Sequence, residues 1–231
     1  MAEREGSVAI SYWLFAISYL LMTGLALADG TEEISMKRRQ QGILTGMPFM
    51  ANLAPRTFVD DLGRKIYLAK PPARIVSLAP SITEVLFAIG LSEQIVGVTQ
   101  FCDYPPEALA KPKIGAAFPN IESVLALQPD LVLAAREFIR PDVLSKLEQL
   151  KIATYILEAK TLEDILSHIQ TLGRMLERTA AADGLATSMR RRIADVKART
   201  EPLPRPRLLY VLNSDPLVTV GPGSFIHQLI E

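Results

Sequence analysis

Chemistry in a protein needs reactive side chains at workable spacings, and this sequence offers few. Cysteine occurs once, as Cys102, and histidine twice, as His168 and His227. One thiol excludes an internal disulfide framework and any cysteine-clustered zinc site. Two histidines are too few for a histidine-rich transition-metal site, so no metal or cofactor is expected. No Gly-x-Ser-x-Gly elbow occurs, and His168 stands inside a helical run with no evident partner. Nothing beside Cys102 in sequence would activate its thiol. Lacking a base–nucleophile pairing, the chain is not expected to be an enzyme. Gly221-Pro222-Gly223 lacks the third glycine of a dinucleotide fingerprint and reads as a tight turn. Arg190-Arg191-Arg192 would point in three directions on a helix, which makes a solvated face.

The remaining candidates are loops, and strands must present them. Arg74 to Leu78 reads as a buried strand, and Ser81-Ile82-Thr83-Glu84 has the capping-box form that opens a helix, which Gly90 stops. Gln94 to Val98 is a second strand. Asn120 caps a short helix through Leu127, and Leu131 to Ala134 is a third strand. Pro141 to Leu150 is a helix and Ala153 to Leu157 a fourth strand. Strands alternating with helices at this spacing predict a parallel sheet with crossover helices, covered on both faces because the strands are almost continuously apolar. The fold class is therefore α/β. Loops after the strands hold Pro80 and Ser81, Phe101 to Tyr104, Ala116 to Asn120, and Arg136 to Phe138. Open α/β sheets bind ligands at those carboxyl ends. Phe101, Tyr104, Phe118 and Phe138 would supply apolar walls, with Asp103 and Arg136 as polar anchors.

The flanks set the organisation. Thr57 to Leu68 reads as a β-hairpin turning at Asp61-Leu62-Gly63-Arg64. Thr161 to Arg199 carries long helical patterns, ended by Pro202, Pro204 and Pro206, and Leu208 to Leu212 starts a new strand. Val8 to Leu27 is an uncharged run closing in Ala26-Leu27-Ala28, the small-x-small form that a signal peptidase reads. Residues 1–28 are thus expected to be a signal peptide cleaved after Ala28. An uncleaved anchor is the alternative, because Glu3 and Glu5 flank Arg4 and because Lys37, Arg38 and Arg39 follow the run. Residues 29–56 read as a linker, 57–160 as an α/β lobe, 161–204 as a helical spine and 205–231 as the start of a second lobe. Across the 231 residues, 25 Lys plus Arg balance 25 Asp plus Glu, so no net field draws the chain to nucleic acid.

The segment Arg74-Ile75-Val76-Ser77-Leu78-Ala79-Pro80-Ser81-Ile82-Thr83-Glu84 resembles the opening motif of periplasmic proteins that deliver cobalamin and ferric siderophores to ABC importers. Ile95-Val96-Gly97-Val98, Cys102-Asp103-Tyr104-Pro105-Pro106-Glu107-Ala108, Asn120-Ile121-Glu122 and Leu127-Gln128-Pro129-Asp130-Leu131-Val132 follow the same order. Asp60-Asp61-Leu62-Gly63-Arg64 is similar to the family's N-terminal hairpin, and Thr219 to Ile226 to a motif early in its second lobe. The resemblance spans Thr57 to Glu231. It implies two α/β lobes joined by a long backbone helix, with a corrinoid or ferric chelate held in the cleft between them. Asn213 and Asp215 would then face the ligand from the second lobe. Glu122 matches the family's first-lobe glutamate that pairs with permease arginines, so the implied partners are an ABC permease and its ATPase, outside the cytoplasmic membrane. Two departures stand out. The family's cobalamin binders place an aromatic shortly before the Asn-x-Glu segment; here that stretch is Gly115-Ala116-Ala117-Phe118, and Phe118 would substitute. A lobe takes on the order of a hundred residues, so 205–231 is expected to form an incomplete one. A membrane-tethered or degenerate interaction protein without ligand binding is the alternative.

Overall fold

The structure is a computed structural model that describes residues 56–230 apart from Ala117 and Phe118. The signal-peptide or anchor run, the linker up to residue 55 and the Phe118 wall therefore lie outside the described residues. Among the described residues, no helix is long and apolar enough to cross a membrane.

The centre is a four-stranded parallel sheet in the order β4-β3-β5-β6, formed by β3 (Ile75–Ser77), β4 (Ile95–Val98), β5 (Leu131–Ala135) and β6 (Thr154–Leu157). The helices α1 (Pro80–Ala88), α2 (Ile121–Ala126) and α3 (Pro141–Gln149) make the crossovers. Alternation along β5 divides the core. Leu131 and Leu133 pack with α1 residues Ile82 and Leu86 on one face, while Val132 and Ala134 pack with Val124 and Leu147 on the other. Both faces are dry, as the continuous apolar strands require.

Two helices close the first face. These are α4 (Leu162–Met175) and α5 (Thr179–Thr200). Thr161 and Asp164 form a reciprocal capping box at the start of α4. Burial would raise the Asp164 carboxyl, but the bonds from Lys160 and Thr161 outweigh it and hold the group below its ordinary value. Ala182, Ala186 and Met189 of α5 are buried with the α4 stripe, whereas everything from Ala194 onward on α5 is exposed.

The N-terminal hairpin pairs β1 (Arg56–Val59) with β2 (Lys65–Leu68). Its turn is pinned to β6. Asp60 is 4% exposed and accepts from the backbone N–H groups of Leu62, Arg64 and Ile156 and from the Arg64 guanidinium. Arg64 reaches on to the Thr154 carbonyl. Tyr155 donates to the Val59 carbonyl at 3.0 Å, and burial, then the charges of Asp61 and Asp60, push its pKa up to about 12. His168, which has no partner evident in sequence, meets one here: its Nε2 lies 2.8 Å from Asp61 Oδ2.

Two expected features are corrected. Ser81 does not cap α1; the N-cap is Ala79, without a side-chain bond. Pro80 takes the first helical position, where its fixed φ and missing N–H suit the chain, and that moves the cap one residue before it. Likewise no strand runs from Leu208 to Leu212. β7 (Val211–Ser214) begins only where β8 (Leu217–Thr219) gives it an antiparallel partner, leaving Leu208 and Leu209 exposed. A last short helix, α6 (Phe225–Ile230), follows the Gly221–Gly223 turn, and its Gln228 side chain accepts from Leu162 N at 2.7 Å at the start of α4.

Candidate functional site

The chain passes from β3 to β4 on one side, then crosses to β5 on the other. In open α/β sheets ligands bind at such a reversal, here beyond the carboxyl ends of β3 and β5. Register keeps the β3 and β4 ends level, Ser77 pairing with Val98, while Ser77 meets Leu133 in β5, which runs two residues further to Ala135. The β3 end continues as Leu78, whose N–H bonds the Leu133 carbonyl at 2.8 Å, and turns into α1 at once. Pro80 is buried in that turn and Ser81 is exposed beside it.

Phe101 to Tyr104 follow β4. Phe101 and Tyr104 are half-buried, Asp103 is exposed, and Cys102 between them is wholly buried. Lys113 fastens this loop, its Nζ donating to the carbonyls of Cys102 at 2.8 Å and Ala108 at 3.0 Å. The Lys113 segment runs alongside β4, and the Gln100 N–H bonds the Gly115 carbonyl at 2.8 Å. Gly115 is thereby drawn beside the β4 loop. After β5, Arg136 is exposed and Phe138 half-buried against the core in a single 3-10 turn. The structure thus brings Pro80, Ser81, Phe101, Asp103, Tyr104, Arg136 and Phe138 to one end of the sheet.

Asn213 and Asp215 sit elsewhere in the fold. Asn213 lies on β7 and turns its amide onto the Asp215 carbonyl at 2.9 Å, inside the β7–β8 hairpin. Glu122 is exposed in the first turn of α2, which Asn120 caps by accepting from Ser123 N at 2.7 Å. At the far end of the sheet, Arg74 and Asp130 lock the starts of β3 and β5, with Asp130 accepting from Arg74 N at 3.0 Å and the Arg74 guanidinium donating to the carbonyl of Leu127, the residue that caps the end of α2. That end is built for stability.

Sequence reasoning missed what lies under the loops. Ser77, Thr83, Thr99 and Cys102 form a buried hydroxyl–thiol cluster, and no linear spacing announces it. Burial pushes the Cys102 thiol above its ordinary pKa, against smaller opposing effects from Thr83 and Thr99. The folded chain therefore keeps a proton that the unfolded chain gives up. Its contribution to stability is complete below the unfolded thiol's pKa of about 8.5 and is lost as pH rises through the higher folded value. A disulfide reagent at pH 8 should label Cys102 only as fast as the protein unfolds. Immediate labelling of the native chain would show an open, ionised thiol instead.

An open parallel sheet with aromatic-bearing loops gathered at its carboxyl edge is the build of a small-molecule binding lobe. The chain belongs to the periplasmic binding protein family, whose profile matches residues 75–231. It is 36% identical over 170 residues to the vitamin B12-binding protein of Vibrio cholerae serotype O1, covering 71% of this chain and 60% of that one. It is 30% identical over 184 residues to an uncharacterised ABC transporter substrate-binding lipoprotein, YvrC, of Bacillus subtilis, covering 77% of this chain and 59% of that one. The crystal structure of the periplasmic vitamin B12 binding protein BtuF of Vibrio cholerae matches with a TM-score of 0.63 at 32% identity, over 69% of this chain and 63% of that one. A periplasmic heme binding protein from Pseudomonas aeruginosa matches with a TM-score of 0.55 at 32% identity, over 61% of this chain and 52% of that one. The chain spans about 60% of the length of the curated vitamin B12-binding protein it matches.

Proposed function

We propose that this chain is the solute-binding component of an ABC importer, capturing a corrinoid or a ferric siderophore outside the cytoplasmic membrane and delivering it to a permease. The gathering of Ser81, Phe101, Asp103, Tyr104, Arg136 and Phe138 at the carboxyl edge of the sheet carries the reading. Half-buried rings offer a flat apolar ligand its walls, and the exposed carboxylate and guanidinium give its polar rim partners. The likeness to vitamin B12-binding proteins supports the ligand class. In this reading residues 57–160 are the first lobe, 161–204 the spine and 205–231 the start of a second lobe, whose Asn213 and Asp215 approach the ligand from across the cleft. Residues 1–28 direct export, leaving the chain periplasmic or tethered to the outer face of the membrane. The chain itself does no chemistry; ATP hydrolysis belongs to the partner complex, which Glu122 would contact from the exposed first turn of α2.

Calorimetric titration with cyanocobalamin and with ferrichrome tests the ligand class. Binding of one of them should also protect the fold, by roughly 2.7 kcal/mol at a free ligand concentration of a hundred times Kd. Failure of both probes to bind or to protect would overturn the reading in favour of an interaction protein without a ligand. Glu122→Ala should impair uptake in cells while leaving Kd unchanged, and a loss of ligand affinity in that variant would remove Glu122 from the docking role.

A further inference from the structure

Four buried polar side chains lie directly behind the proposed binding loop. Ser77, Thr83 and Cys102 are 0% exposed and Thr99 is 3% exposed. They come from the end of β3, from α1, from the residue after β4 and from the loop beyond it. Thr83 is the hub: its Oγ1 lies 2.8 Å from Ser77 Oγ, 3.1 Å from the Ala79 carbonyl oxygen and 3.2 Å from Cys102 Sγ. Thr99 Oγ1 closes the set at 3.2 Å from the same sulfur. In a dry interior each of these groups would be costly alone, so together they define one arrangement of the segments that carry them.

We propose that Thr83 is a positioning residue for the ligand-binding loop, its hydroxyl tying the β3–α1 turn to Cys102 and so fixing Phe101 and Asp103 before a ligand arrives. The loop from Thr99 to Tyr104 has no strand or helix to hold it, which leaves side-chain anchors and a few backbone bonds. Cys102 N donates to the Thr99 carbonyl at 3.1 Å, and Lys113 holds the Cys102 carbonyl from outside. Thr83 grips the same residue from inside. Phe101 and Asp103 are its chain neighbours, so the Cys102 side chain sets where both of them stand. A loop fixed in advance does not pay ordering entropy when ligand binds, and affinity gains accordingly. The loop's position follows from the geometry alone; its consequence for ligand affinity rests on the binding reading above.

Hydrogen exchange and cyanocobalamin titration on three variants of the full chain test this. Thr83→Val keeps the shape and removes the hydroxyl, Thr83→Ser keeps the hydroxyl, and Leu147→Ala destabilises the opposite core face as a control. In Thr83→Val, amides from Thr99 to Tyr104 should exchange about tenfold faster relative to those of β5, the factor expected for one lost hydrogen bond. Cyanocobalamin affinity should fall by a similar factor. Thr83→Ser should match the parent in both, and Leu147→Ala should speed loop and sheet exchange equally. Equal acceleration of loop and sheet in Thr83→Val would overturn the proposal, as would unchanged affinity in that variant when the parent binds. If the parent binds neither cyanocobalamin nor ferrichrome, the ligand reading is what fails, and the exchange pattern still decides the role of Thr83; if it binds ferrichrome alone, the affinity arm is read with ferrichrome.

Discussion

Asp60→Ala should lower the unfolding free energy by about 3 kcal/mol, the scale on which a buried charge pair loses one member. The hydrogen bonds of Asp60 stay within the hairpin and β6, so the effect is one of architecture. Its carboxylate is fully enclosed, while the Arg64 side chain beside it is 25% exposed. Oδ1 accepts from Leu62 N at 3.1 Å and Arg64 N at 2.9 Å, and Oδ2 from Arg64 Nε at 3.0 Å and Ile156 N at 3.3 Å. Alanine strands all of these donors at once. Arg64 loses its anchor to the turn while still extending to the Thr154 carbonyl and Glu148. In a domain of this size the melting temperature should drop by roughly 6 to 12 °C. Denaturant unfolding measures the change, and a loss below about 1 kcal/mol, ordinary for a surface ion pair, would contradict the account of the hairpin as fastened through Asp60.

Gly173→Ala pits two effects of opposite sign against each other. On helix propensity alone, alanine in the last turn of α4 should stabilise by at most about 1 kcal/mol. A Cβ built there, however, falls within clashing distance of the Ala182 Cβ on α5, with the Arg178 carbonyl at 3.3 Å. The Ala182 Cβ is fixed to the α5 backbone and the Arg178 carbonyl is backbone at its N-cap, so neither can swing aside. Overpacking of this kind costs roughly 1–3 kcal/mol and forces α4 and α5 apart. Net destabilisation is therefore expected. Ala182→Gly should relieve it, so the double variant should be more stable than the sum of the single losses predicts. Simple additivity in that cycle would show that the two helices do not meet at Gly173.

The sheet was legible because its strands and helices carry separate, strong signals. The β5 run Leu131 to Ala134, the Asn120 cap and the Pro141 start all appear where the periodicity puts them. The capping box read at Ser81 failed for a local reason: a proline precedes Ser81, and proline claims the first helical position, whereas the box that does form, at Thr161, has no proline before it and was not read from the sequence. Strand propensity failed at Leu208 because a strand is a pair, and the partner is β8, which reaches only from Thr219 back to Leu217. Contacts between residues far apart in sequence were the least visible. Asp61 with His168, Asp60 with Ile156, and Thr83 with Cys102 join segments whose proximity is set by the finished sheet. The candidate loops were readable from the rule that α/β sheets bind at their carboxyl ends. The buried hub that holds one of them was not, since threonine in a helix ordinarily signals nothing.

Amide chemical-shift mapping of the labelled chain during titration with cyanocobalamin and, separately, with ferrichrome addresses the central claim most directly. The account predicts saturable shifts at Ser81, at Phe101 to Tyr104 and at Arg136 to Phe138, with the Arg74–Asp130 end of the sheet unmoved. Shifts concentrated at that opposite end, or no saturable shift anywhere with either probe, would contradict it.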